Sequence, residues 1–212
     1  MTSATTLTTI SVFIALGLLS LAGTTVALFK IIQFARLGVG RLKRAEEILD
    51  AWLGGRPEEA MRSAALRDCV LARVLQGVLS ALRARPSDTA YAEELGRQSA
   101  LIELAAMTSR MRVLEMVIQA GPMLGLLGTV VGMIQAFSTL SEAGGAADPA
   151  QLAAGIWTSL TTTATGLAIA LLAYFVANWL EARIERERIS MEMLISAAIH
   201  GRIEAGRSGT MR

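Results

Sequence analysis

The sequence predicts an all-α integral membrane protein: three transmembrane helices with long cytoplasmic helical extensions. Three observations predict it. The first is where charge is missing. The 212 residues include 20 basic and 18 acidic side chains, yet no Lys, Arg, Asp or Glu occurs in Met1–Phe29, Met116–Ser141 or Pro149–Leu180, which run 29, 26 and 32 residues. A bilayer core about 30 Å thick takes about 20 helical residues to cross, and a soluble helix needs a charged outer face. The second is where charge is placed. Fourteen of the 20 basic residues fall between Lys30 and Arg112, and the other six follow Leu180. Basic residues stay on the cytoplasmic side, so the N-terminus is expected outside and the C-terminus in the cytoplasm. The third is the helical spacing of apolar residues in the charged remainder.

Six segments follow: 1–30, an outside tail and the first span; 31–114, a cytoplasmic helical region; 115–141, the second span; 142–151, a periplasmic hairpin carrying Glu142 and Asp148 but no Lys or Arg; 152–180, the third span; and 181–212, a cytoplasmic helix and frayed tail from Gly206. The first span has no basic residue before Lys30, and its apolar run is too long for a cleaved signal peptide. It reads as retained, and is expected to continue as helix through Arg41, Arg44 and Leu49 to Trp52 before Gly54-Gly55-Arg56-Pro57 stops it.

Pro57 suits a first helical position, with Glu58 and Glu59 favourable in the first turn. Leu71, Leu75, Val78, Leu79 and Leu82 then fall on one helical face. Arg85-Pro86-Ser87-Asp88 is a break with Ser87 or Asp88 as N-cap. A further helix is expected from Tyr91 without interruption into the second span. Ile184, Ile189, Leu194 and Ile199 mark a helical extension of the third span.

Composition and motifs exclude several classes. One cysteine rules out a disulfide-stapled fold. Cys69 sits alone on a predicted helix and reads as a small core residue, and His200 has no second ligand nearby. No Ser/His/Asp arrangement, P-loop, dinucleotide fingerprint or zinc spacing occurs, so neither an enzyme, a cofactor, a metal nor a nucleic-acid partner is expected. Glu115 is expected to pair with Arg110 or Arg112 at the membrane boundary.

Two spans differ from generic lipid-facing helices. The second contains Gly121-Pro122-Met123-Leu124-Gly125-Leu126-Leu127-Gly128-Thr129-Val130-Val131-Gly132. Gly121 with Gly125, and Gly128 with Gly132, are spaced four apart, which clears a face for close backbone approach. The third contains Gly155-Ile156-Trp157-Thr158-Ser159-Leu160-Thr161-Thr162-Thr163-Ala164-Thr165-Gly166, with five threonines and a serine in eight residues. Thr158, Thr162 and Thr165 share one face; Ser159, Thr163, Gly166 and Ala170 share its neighbour. Such hydroxyls either bond their own preceding carbonyls and help helices pack, or line a polar path or subunit contact.

The block from Gly121 to Phe137 resembles the second-span signature of the MotA/TolQ/ExbB proton channel family, and Gly155 to Ala168 resembles its third-span signature. Three spans with a large loop after the first look like the ExbB/TolQ branch; the MotA branch has four. Pro57-Glu58-Glu59-Ala60 and Leu71-Ala72-Arg73-Val74-Leu75 are similar more weakly. The resemblance implies a ring-like homo-oligomer, a pentamer, in the bacterial inner membrane. It would surround the spans of an ExbD- or TolR-like single-span partner bearing an intramembrane Asp, and proton flow would energise a TonB-like or Tol-like periplasmic protein. An ExbB-like role is preferred over a TolQ-like role in envelope maintenance or a non-conducting membrane scaffold. The family's pore threonines carry over to Thr129 and Thr163. Where ExbB-type sequences often have Glu in the third span, this chain has Thr158.

The residues themselves lead the same way. A proton relay needs groups that titrate near working pH, and intramembrane Asp, Glu and His are the usual ones. The spans hold none. Hydroxyls can line a wet path but cannot store a proton, and Tyr174, with an ordinary pKa near 10, is a poor carrier. The proton-carrying carboxylate is therefore expected on a partner helix held against Thr129, Thr158, Thr162 and Thr163, with Gly121, Gly125, Gly128, Gly132 and Gly166 packing the wall.

Overall fold

A computed structural model describes residues 2–142 and 149–201. The expected hairpin at 142–151 and the tail from Gly206 lie largely or wholly outside the described residues. All regular structure among the described residues is helical: α1 Thr2–Leu37, α2 Leu42–Leu53, α3 Pro57–Ala65, α4 Val70–Ala84, α5 Thr89–Thr108, α6 Met111–Glu142 and α7 Pro149–His200. Three stretches, within Ile10–Leu53, Thr89–Ser138 and Leu152–His200, are long and apolar enough to cross a membrane. The chain divides into two compact units, residues 1–30 with 110–179 and residues 31–109 with 180–212.

In the first unit, α1 buries a narrow stripe of Val12, Leu16, Gly23 and Lys30 while Ile10, Ile14, Leu18, Leu21 and Leu28 stay exposed. A Cβ on Gly23 would come within 3.3 Å of the Val117 side chain on α6, so the missing side chain sets how closely these helices approach. The Arg110 guanidinium lies 4.4 Å over the Phe29 ring, a cation–π contact at the end of the apolar run. Among the described residues Glu115 makes no ion pair, and the expected pairing with Arg110 or Arg112 is replaced by this ring contact.

The second unit is a helical assembly whose core combines Ile48 and Leu49 of α2, Ala60 and Ala64 of α3, Leu71, Leu75, Val78 and Leu79 of α4, Ala92 of α5, and Met191 and Leu194 of α7. Gly96 lies where α4, α5 and α7 converge: a Cβ there would meet Val78 at 2.6 Å and Ile195 at 3.1 Å. Arg73 Nε and Glu103 Oε1 lie 2.9 Å apart between α4 and α5, both largely shielded.

Local chemistry explains two of the helix starts. Pro57 opens α3 with Glu58 and Glu59 in its first turn. Asp88 caps α5 by accepting from the Tyr91 amide at 3.0 Å, which removes one of the unpaired donors at a helix start. The long α7 continues past Leu180 as expected.

Two expected continuities break, and the structure adds one further boundary. The first helix does not run to Trp52: Gly38 and Gly40 take φ of +66° and +88°, a left-handed conformation that glycine adopts without steric cost, and α2 restarts at Leu42. The segment from Pro57 to Ala84 divides at 66–69, where Arg67 has φ +51°. The helix from Tyr91 stops at Thr108, and Arg110 turns the chain at φ +65° before α6. Helical spacing of apolar residues continues across each break, so periodicity alone does not reveal them.

Candidate functional site: the α6–α7 wall

The α6–α7 pair is built on small residues from both sides. A Cβ on Gly121 would meet the Gly166 carbonyl oxygen at 2.8 Å and the Ala170 Cβ at 3.2 Å; on Gly125, the Thr163 Cα at 2.9 Å; on Gly128, the Thr162 Oγ1 at 2.6 Å. On Gly132 it would overlap the Ser159 hydroxyl, and on Gly155 it would meet Ala136 Cβ at 2.9 Å. The two helices therefore run antiparallel along one ladder, from Gly121–Ala170 at one end to Ala136–Gly155 at the other. All four α6 glycines serve one continuous face, as a four-three-four spacing on a helix allows, rather than two separate pairs. Pro122 lies inside α6 and withdraws one backbone hydrogen bond there.

Opposite them, α7 buries Ser159, Thr162, Gly166, Ala170, Ala173 and Ala177. Ser159 and Thr162 are only 2% and 1% exposed. Their hydroxyls are closed on their own helix, Ser159 donating to the Gly155 carbonyl at 2.9 Å and Thr162 to the Ser159 carbonyl at 2.6 Å. Both are thus apolar in effect toward α6. Thr163 behaves differently: its hydroxyl donates across to the Gly125 carbonyl at 2.8 Å. Glycine at 125 leaves that carbonyl open to approach by a neighbouring helix.

The remaining hydroxyls face away from the ladder. Thr158 and Thr161 are exposed and donate to the Ala154 and Trp157 carbonyls at 2.9 and 2.8 Å. Thr165, partly exposed, donates to Thr161 at 2.8 Å. Thr129 is partly exposed on α6, donates to the Leu126 carbonyl at 2.7 Å, and opens on a shallow depression shared with Met133, Phe137 and Ser138. Each keeps its oxygen lone pairs available to water or to a partner's donor or proton-bearing group.

The four threonines singled out from the sequence therefore divide. Thr129 and Thr158 point outward, Thr163 bridges the two helices, and Thr162 is buried against Gly128. The five glycines come together as one packing face. Sequence reasoning grouped Ser159, Gly166 and Ala170 on one face but placed Thr162 on its neighbour and left Ala136 out. The signal was present in the spacing: Ser159, Thr162, Gly166 and Ala170 recur at three, four and four residues, which is one helical face, and each lies against a glycine of α6. Grouping Thr162 with Thr158 instead followed a different choice of face on the same helix.

No group of three or more His, Cys, Asp or Glu able to hold a metal occurs among the described residues. Cys69 is buried in the other unit, where burial pushes its thiol up, and the Ala72 amide acts in the opposite direction. That favours the inert thiol over the nucleophilic thiolate.

A family model described as the MotA/TolQ/ExbB proton channel family matches residues 64–193. Individual relatives agree in name. An ExbB homolog of Methanothermobacter thermautotrophicus is 37% identical over 94 residues, 44% of this chain and 33% of the relative. An ExbB-like protein of Synechocystis is 43% identical over 76 residues, 35% and 30% of the two chains. The biopolymer transport protein exbB1 of Vibrio cholerae is 37% identical over 84 residues, 40% and 37% of the two chains. The matched stretch thus spans about a third of the length of each of these relatives.

Proposed function

From the premise that the chain belongs to the MotA/TolQ/ExbB proton channel family, we propose that it is an ExbB-like subunit of a bacterial inner-membrane, proton-driven motor that couples ion flow to TonB-dependent transport across the outer membrane. One observation carries the reading beyond family membership: α6 and α7 pack through glycines and backbone-closed hydroxyls, while Thr129 and Thr158 remain on outward faces of a wall that has no titratable carboxylate or imidazole.

Such a wall suits a partner's charge. A carboxylate near the bilayer centre costs several kcal/mol unless it is solvated, and outward hydroxyls supply donors and order water around it. In this reading Thr129, Thr158 and Thr163 border the ion path, and Thr162 belongs to the packing behind it. The N-terminus lies in the periplasm and the C-terminus in the cytoplasm. The subunit assembles as a pentamer around an ExbD- or TolR-like single-span protein whose intramembrane Asp carries the proton, and a TonB-like protein takes up the motion.

The test replaces hydroxyls without replacing volume. Thr129→Val with Thr163→Val, co-expressed with the single-span partner, should leave a complex that co-purifies but loses at least about tenfold of its proton-dependent uptake, as expected when a polar path is made apolar. Wild-type uptake in an assembled double variant would remove the conducting role and leave a scaffold.

A further inference from the structure

The buried side of α7 beyond the membrane-spanning part reads Leu180, Glu187, Met191, Leu194, Ile195 and Ala198. Glu187 therefore occupies a position that its helical neighbours make apolar, and it is 4% exposed. Its Oε1 accepts a hydrogen bond from the Gly40 amide. The other amides of that turn are satisfied by backbone: Gly38 donates to Ala35, Val39 to Phe34 and Arg41 to Gly38. The other carboxylate oxygen, Oε2, is buried with no hydrogen-bond partner.

The turn is shaped to fit there. A Cβ on Gly40 would come within 3.1 Å of the Arg183 guanidinium, and one on Gly38 would meet the Asp68 carbonyl oxygen at 2.7 Å and Cys69 at 3.1 Å. Arg183 on α7 and the Cys69 thiol from the segment before α4 face this carboxylate, and Arg41 from the turn and Asp68 are set around Cys69. Asp68 is itself drawn toward Arg44 at 3.4 Å.

We propose that Glu187 is a proton-sensitive latch that fastens the Gly38–Arg41 turn to α7, closing when the carboxyl is protonated and loosening when it is ionised. The proton adds at Oε2, so Oε1 continues to accept from Gly40 in the closed state. The direction follows from linkage. Burial raises the affinity of this carboxyl for its proton, with the Gly40 amide and Arg183 opposing. Once the turn lifts and water enters, the carboxyl returns to the ordinary range. The state that binds the proton more tightly is the one that acid favours. The latch lies at the junction between α1 and α2, so it sets how firmly the end of α1 is tied to α7. It does not depend on the conducting role proposed above.

Hydrogen exchange on the full-length chain in lipid nanodiscs tests it, read on the segment carrying Gly38 to Arg41 and corrected for the intrinsic pH dependence of exchange. In the wild-type chain, protection should rise as pH falls from about 8 to about 5, by up to about tenfold per pH unit, the limit for one coupled proton. Glu187→Gln, neutral throughout, should be protected and flat. Asp68→Asn and Cys69→Ser should keep the wild-type slope. A flat wild-type profile overturns the latch, as does a slope that survives in Glu187→Gln or disappears in either control. If Glu187→Gln does not fold, the wild-type profile and the two controls still decide.

Discussion

The hydroxyl of Thr163 donates to the backbone carbonyl of Gly125 at 2.8 Å, joining the two hydroxyl- and glycine-rich helices by a side chain-to-backbone bond. Interhelical hydrogen bonds in membranes contribute about 0.6 kcal/mol on average and up to about 1.7. Thr163→Val should therefore lower the stability of the detergent-solubilised chain by about that amount, while Thr163→Ser retains it. Steric trapping or reversible denaturant unfolding measures the difference. Equal losses in both variants would mean that the methyl group, rather than the hydroxyl, carries the contact.

At Gly125 the approach is closer still, since an added Cβ would lie 2.9 Å from the Thr163 Cα, which is backbone and cannot turn aside. Gly125→Val should cost about 1–3 kcal/mol, the usual range for overpacking, and should reduce recovery of assembled complex. A glycine off the ladder provides the control: nothing lies within 4 Å of a Cβ on Gly17, so Gly17→Ala should leave assembly unchanged.

Much of this arrangement is legible in the sequence, and the reason is physical. A membrane helix cannot hide unpaired charge, so 87 residues without Lys, Arg, Asp or Glu mark the apolar helices directly. Asp88 and Pro57 mark helix starts because their chemistry fits those positions. The breaks at Gly38–Gly40 and Arg110 are less legible. Their positive φ angles come from tertiary fit, and an arginine gives no local warning of one. The assignment of faces on α7 has the same cause. Two adjacent polar stripes are present in the sequence, and contact with the glycines of α6 buries Ser159, Gly166 and Ala170 of one together with Thr162 of the other.

Glu187 was hidden for a related reason. Glutamate in a charged helix normally reads as solvated, and its position on the Leu180–Met191–Leu194 face becomes meaningful only when that face is buried. The burial has a signed consequence. The folded carboxyl is pushed above its ordinary range, so the native state binds this proton more tightly than the unfolded state. Stability should then fall as pH rises from the ordinary carboxylate value, about 4.3, through the raised one, and stay low above it. Thermal unfolding across pH should show this slope in the wild-type chain and a weaker one in Glu187→Gln. A slope of the opposite sign, removed by the same substitution, would contradict the assignment.

In the proposed motor this chain supplies the wall of an ion path and a partner supplies the proton-carrying group. Proton flux into proteoliposomes tests it most directly, with the purified chain alone compared with the chain co-purified with its single-span partner. The chain alone should give no flux above empty vesicles, the complex with the partner should conduct, and that flux should be lost when the partner's intramembrane Asp is changed to Asn. Sustained proton flux through the chain alone would contradict it.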